Sequence, residues 1–187
     1  MYQICVCGAA KGESVEEGKE LASALGVAIA AHGQALISGA TNGLPHHAAL
    51  GYAHAGGKIS VGISPASSKA SHVVKYALPV KPYHSILYTG LHYVGRDVLL
   101  INSADAVVCI GGRIGTLHEF TVAMETDKPI GFLQGAGGIS DSILQILHAA
   151  DRYKTEEIIF SEDPDELIGE LIKQLDEKYA KYKNLYR

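Results

Sequence analysis

Apolar residues gather in short, almost unbroken runs along this chain. YQICVCG (2–8), ALIS (35–38), KISVGIS (58–64), ADAVVCI (104–110) and PIGFLQ (129–134) are such runs, and EEIIFS (156–161) is a shorter one. Their length suits strands, and their apolar character on both alternating faces suits strands covered on both sides. Between them the spacing becomes helical. SVEEGKELASALGVAIAAHG (14–33) reads as a helix, with Ser14 and Glu17 at capping-box spacing and Gly33 where a C-terminal glycine belongs. LPHHAALGYAHAGG (44–57), residues 117–127 and residues 141–150 read the same way. The last helix opens on Asp163, Pro164 and Glu166, which supply a cap, a first-turn proline and a capping partner. Leu167, Leu171, Leu175, Tyr179 and Tyr182 then form its apolar stripe.

Two segments are less regular. Residues 65–85, PASSKASHVVKYALPVKPYHS, hold three of the six prolines and read as a long loop. Loops of that length are uncommon in compact domains and are often functional. Residues 86–103, ILYTGLHYVGRDVLLINS, predict a helix that Gly90 and Gly95 weaken. Strands alternating with helices predict an α/β fold, a three-layer, doubly wound, mainly parallel sheet of Rossmann type. No linker or internal repeat interrupts it, so residues 1–187 are expected to form a single domain.

Composition narrows the function. The net charge is −4, and Lys and Arg are scattered, without the basic patch of a nucleic-acid binder. The basic residues of KQLDEKYAKYKNLYR alternate with acidic and apolar ones, as on a solvated helix face. No apolar run approaches bilayer-spanning length, and the N-terminus lacks signal-peptide character. Three cysteines, Cys5, Cys7 and Cys109, sit in strand-like runs, which points to reduced thiols and a cytoplasmic location.

Ligands of open α/β sheets bind beyond the carboxyl ends of the strands. Four glycine-bearing loops fall there: CGAAKG, SGATNG, GGRIGT and QGAGG. Gathered together, they would offer many backbone N–H groups to a small anionic ligand. Gly8, Gly39, Thr41, Gly43, Gly111, Gly112, Arg113, Gly115 and Thr116 are the candidates for holding phosphate or nucleotide. The lysine and spacing of an ATP-binding P-loop are missing, and so is the dinucleotide fingerprint after the first strand. Glu119 has two readings. Thr116-Leu-His-Glu119 is a capping-box sequence, so the carboxylate either serves its own helix or faces a ligand.

The segment GRDVLLINSADAVVCIGGRIGTLHE resembles the LONELY GUY (LOG) family and the related molybdenum-cofactor carrier proteins, both of the Rossmann-like SLOG nucleotide-binding superfamily. The family pattern is an arginine, an aspartate before a strand, then P-G-G-x-G-T-x-x-E. Arg96, Asp105, Gly112, Gly115, Thr116 and Glu119 stand at the matching positions. CVCGAA is similar to the family's first-strand C-G-S-S, and SGATNGLPHHAALGYAHAGGKISVGISP to its second loop, helix and third strand. The resemblance implies a phosphoribohydrolase that cleaves a nucleoside 5′-monophosphate to free base and ribose 5-phosphate. Arg96 and Glu119 would be its catalytic pair, and no metal or cofactor would be needed. It also implies a homodimer with the site at the interface, for which the apolar stretch Ile86 to Leu100 is the candidate surface.

The departures from the pattern point to the alternative, a non-catalytic binder or carrier of a nucleotide or of molybdenum cofactor. Gly111 replaces the family's proline, Arg113 its second glycine, and Asp97 the lysine that follows the arginine in LOG enzymes. Ala9 and Ala10 replace the two serines, and Ser38-Gly39-Ala40 a triple glycine. A DNA-associated role, also known in this superfamily, is disfavoured by the charge. His118 either assists proton transfer or is simply part-exposed. His46, His47 and His54 lack a completing ligand for a metal. Tyr83, Tyr88 and Tyr93 suit either stacking on a base or packing in a dimer.

Overall fold

The computed structural model of the protein describes residues 1–150 and 158–182. The predicted strand's first residues, Glu156 and Glu157, and the chain end at 183–187 lie outside the described residues.

Seven strands form one parallel sheet: β1 (Gln3–Gly8), β2 (Ala35–Ser38), β3 (Ser60–Ser64), β4 (Ser85–Tyr88), β5 (Ala106–Ile110), β6 (Ile130–Leu133) and β7 (Ile158–Ser161). Their spatial order is β4-β3-β2-β1-β5-β6-β7. The first four strands thus build outward from β1 in one direction, and the chain then crosses back to lay β5 on the other side. The ends of β1 and β5 are the topological switch point, where such sheets open a crevice.

Strand alternation divides two cores. On one face Ile4, Val6, Val108 and Ile110 pack against α1 (Glu13–Ala31), α2 (Leu44–His54) and α6 (Pro164–Tyr179). On the other, Cys5, Cys7, Val107 and Cys109 pack against α3 (His92–Asn102), α4 (Ile114–Glu125) and α5 (Ile143–Ala149). Both faces being covered is why the strands read as continuous apolar runs. All three cysteines are buried and free, and Cys5 and Cys7 share one side of β1 with their sulfurs 3.5 Å apart. Among the described residues, no helix is long and apolar enough to cross a membrane.

Four local expectations change. Residues 86–103 are not one helix: Ser85–Tyr88 extends the sheet, pairing with β3, and α3 starts only at His92. Pairing at the sheet edge overrides the helical pattern of SILY, and Thr89 and Gly90 close the turn, with Gly90 at φ 71°. The long loop 65–84 carries one π turn, Ser71–Lys75. A buried histidine pins it: Nδ1 of His72 pairs with Ser64 Oγ at 2.8 Å and Nε2 with the Pro79 carbonyl at 2.9 Å. Third, the Ser14–Glu17 capping box does not form, because α1 starts at Glu13 behind Gly12 and has no side-chain cap. In the final stripe Leu167, Leu171 and Leu175 are buried and Tyr179 packs on the core, but Tyr182 lies in a 3₁₀ turn beyond the helix and is exposed.

Candidate functional site

The chain leaves β5 through two glycines in the left-handed region, Gly111 at φ 55° and Gly112 at φ 99°. Arg113 is extended at the N-cap of α4, and the helix begins at Ile114. Its first N–H groups have no partner within the helix and carry partial positive charge. They open onto a cleft of about 200 Å³ lined by Gly8, Ala9, Ala10, Thr41, Tyr93, Arg96, Asp97, Arg113, Gly115, Thr116 and Glu119. The cleft therefore lies at the switch point, where the ends of β1 and β5 meet.

The early start of α4 decides the reading of Glu119. Thr116 is already the third helical residue, the cap position carries no side-chain hydrogen bond, and Glu119 lies a turn further along. The glutamate is not part of a capping box. It is buried against the cleft, with Oε1 3.6 Å from Nη1 of Arg96. Burial pushes its carboxyl up to about 7, against the opposing pull of the Arg96 guanidinium.

Arg96 is itself only 3% exposed, and its Nε and Nη1 have no hydrogen-bond partner. Leaving two donors of a buried cation without a hydrogen bond is costly unless a ligand completes them. Its guanidinium lies directly over Gly39: a β-carbon there would come within 2.0 Å of Nη1. Asp97 continues the network, with Oδ1 3.5 Å from Arg96 Nε and Oδ2 2.9 Å from Nδ1 of His118. Asp97, one of the departures from the LOG pattern, is thus joined to His118.

Of the predicted site residues, the fold brings Gly8, Thr41, Arg96, Arg113, Gly115, Thr116 and Glu119 into one cleft. Gly39, Gly43, Gly111 and Gly112 do not line it. Gly39 makes room for Arg96, and Gly43 for the Ala9 carbonyl, which a β-carbon would approach to 2.2 Å. Gly111 and Gly112 hold the turn from beneath: their carbonyls accept from Ser140 Oγ at 2.8 Å and Ile139 N at 2.9 Å. The loop QGAGG takes part in that support rather than in the lining; a β-carbon on Gly138 would sit 2.5 Å from the Gly112 carbonyl oxygen. Tyr83 leaves the candidate list, because its hydroxyl pairs with Ser38 Oγ at 2.7 Å and its ring packs on the core. Tyr88 packs against His72 instead. Among the described residues, no group of three or more His, Cys, Asp or Glu is arranged to hold a metal ion.

Sequence reasoning missed Ala9, Ala10 and Asp97 as lining residues. Ala9 and Ala10 carry no chemistry to flag. Asp97 had one usable signal, its place directly after Arg96; its contact with His118 comes only from the packing of α3 on α4.

Three solved structures share this architecture. A structural-genomics target designated TM1055 superposes with a TM-score of 0.77 at 27% identity, covering 93% of this chain and 99% of that one. The molybdenum cofactor binding protein of the phototrophic bacterium Rippkaea orientalis gives 0.72 at 26% identity, over 93% and 96%. The molybdenum cofactor carrier protein of Chlamydomonas reinhardtii gives 0.70 at 27% identity, over 93% and 97%. Residues 1–168 match the family described as SLOG cluster4 across both strands of the switch point and every residue of the cleft. The chain belongs to the SLOG cluster4 family.

Proposed function

We propose that the protein binds a nucleoside 5′-monophosphate and hydrolyses its N-glycosidic bond, releasing free base and ribose 5-phosphate. The observation that carries this reading is the buried Arg96 guanidinium, two of whose donors lack a hydrogen bond, set beside Glu119, whose carboxyl is pushed by burial up to about 7. The phosphate lies at the N-terminus of α4, on the N–H groups of its first turn with Arg113 and the Thr116 hydroxyl. The ribose then sits over Arg96 and Glu119. Water adds to the anomeric carbon as the bond to the base nitrogen breaks; that electron pair leaves with the base, which takes up a proton. Positive charge builds on the ribose in this step. The Glu119 carboxylate stabilises it and accepts the proton of the attacking water. Near neutral pH a group titrating at about 7 exchanges protons readily in both directions.

The protein acts as a homodimer in this proposal. Leu91, Val94, Val98 and Leu99 of the α3 segment, and Leu87 and Ile114, are exposed apolar residues on the elements that flank the cleft, and we take them as the dimer surface. The cleft of one chain is smaller than the roughly 300–1,000 Å³ usual for small-molecule sites. A second chain on this surface would add a wall to it.

A second reading, a carrier that holds its ligand without turnover, is favoured by the molybdenum cofactor proteins among the similar structures. Incubation with a panel of nucleoside 5′-monophosphates, followed by chromatography, separates the two. Free base from the wild type and none from Glu119→Gln supports hydrolysis. Thermal stabilisation of both proteins by ligand, with no base released, supports the carrier.

A further inference from the structure

The structure assigns Tyr93 as the wall against which the flat heterocyclic base of the ligand stacks, braced from behind by Tyr76 of the long β3–β4 loop. This rests on the nucleotide-binding reading above and says which part of the ligand meets which surface.

Tyr93 lines the cleft and is 46% exposed, a large aromatic surface left open at its mouth. It stands three residues before Arg96 on α3, so the ring and the guanidinium lie one turn apart on the same helix side, roughly 5–6 Å between β-carbons. With phosphate at the start of α4 and ribose over Arg96 and Glu119, the base is carried toward Tyr93.

The ring is also held. Tyr76 meets it edge-on, with centroids 5.7 Å apart and planes at 73°. The Tyr76 hydroxyl pairs with Nδ1 of His92 at 2.7 Å. Asn42 ties the same loop to the SGATNG turn through the Ala77 carbonyl at 3.4 Å. The buried clasp of His72 fixes the loop behind it. Among the described residues, four other than glycine take the left-handed region, and three of them adjoin this wall or the cleft: Ala77 follows Tyr76, His92 precedes Tyr93, and Ala40 precedes Thr41. Such conformations persist only where surrounding structure enforces them, and they concentrate at ligand sites. A tyrosine fixed in this way loses little conformational freedom when a base covers it.

The test is calorimetric titration of wild type, Tyr93→Leu and Tyr93→Phe with adenosine 5′-monophosphate and with ribose 5-phosphate, the Glu119→Gln background suppressing turnover. Gel filtration of each variant checks that its oligomeric state is that of the wild type. Removing an aromatic stacking partner costs binding about tenfold or more. The expected result is that loss for Tyr93→Leu with the nucleotide alone, a change under about twofold with ribose 5-phosphate, and near-complete retention by Tyr93→Phe. Equal weakening of both ligands, or a wild type that binds both equally well, overturns the stacking wall while leaving the phosphoribosyl site standing. Failure of the wild type to bind either ligand overturns the nucleotide reading and this inference with it. A Tyr93→Leu protein whose oligomeric state has changed assigns the ring to an interface and overturns the wall as well.

Discussion

Two stretches of this chain carry the same signature and use it in opposite ways. Asp163-Pro-Asp-Glu166 and Thr116-Leu-His-Glu119 each place a small polar residue three positions before a glutamate at the start of a helix. In the first, Asp163 is a true N-cap, and its Oδ1 accepts from the N–H groups of Asp165 at 2.8 Å and Glu166 at 3.1 Å. Glu166 closes the motif through Ser161, whose hydroxyl donates to it at 2.7 Å and accepts from Asp163 N at 3.0 Å. In the second, two left-handed glycines turn the chain so sharply that the helix starts at Ile114. Thr116 and Glu119 are thereby released from capping and delivered to the cleft. A capping sequence therefore acts as a cap only where the backbone boundary coincides with it.

The largest expected effect breaks this pairing outright. Under the proposed hydrolysis, Glu119→Gln lowers the rate of base release by about 10²–10⁴-fold, the range for a charge-stabilising or general-base group. Stability moves the other way. Folding holds a proton on Glu119 up to about 7, whereas the unfolded chain releases it near 4.5. Between those values the native state binds more protons than the unfolded one, so this residue's contribution falls as pH rises. The full swing is about 3 kcal/mol. Urea midpoints at pH 5 and pH 8 measure it: the wild type loses stability across that interval relative to Glu119→Gln. An identical pH slope for the two proteins would mean that the carboxyl is solvated rather than buried in the cleft.

The next effect belongs to the true cap. Asp163→Ala removes the acceptor for two N–H groups and costs roughly 1 kcal/mol. For a chain of this size that lowers Tm by about 2–4 °C. Ligand binding and turnover stay at wild-type levels, since Asp163 lies at the start of α6 and does not line the cleft. Calorimetry and the base-release assay on one preparation give both readings.

The same contrast explains what the sequence makes legible. β1, β2, β5 and β6 place residues in both cores because both faces are covered, so they can be read from composition alone; β3 adds only Val61 and Ile63, to one of the two. β4 is different. It is a four-residue edge strand, half exposed, and its Ile-Leu-Tyr runs into the apolar start of α3 without a change of character. Only its pairing with β3 makes it a strand. In the site, Arg96 and Glu119 stand out through their 23-residue spacing and the family resemblance. The role of Gly39 beneath Arg96, the 2.9 Å pair of Asp97 and His118, and the bracing of Tyr93 by Tyr76 are contacts between elements distant in sequence. Spacing within one element carries no signal for them.

The smallest effect comes from a third copy of the signature, and it tests the rule most strictly. Ser14-Val-Glu-Glu17 has the spacing of a capping box, yet α1 starts one residue earlier, at Glu13, with Gly12 at the cap position. A serine inside the first turn has lost the extended backbone from which a cap side chain reaches the free N–H groups. Ser14→Ala should therefore leave stability within about 0.5 kcal/mol of the wild type, the range for substitutions away from specific structural devices. Asp163→Ala, made in parallel, sets the scale for a working cap. A loss at Ser14 as large as that at Asp163 would show that the hydroxyl caps α1 in solution, with the helix beginning after Ser14. A null result would leave Asp163 as the one working cap among these three, Ser14 as a bystander and Glu119 as a residue that backbone geometry has diverted to the cleft.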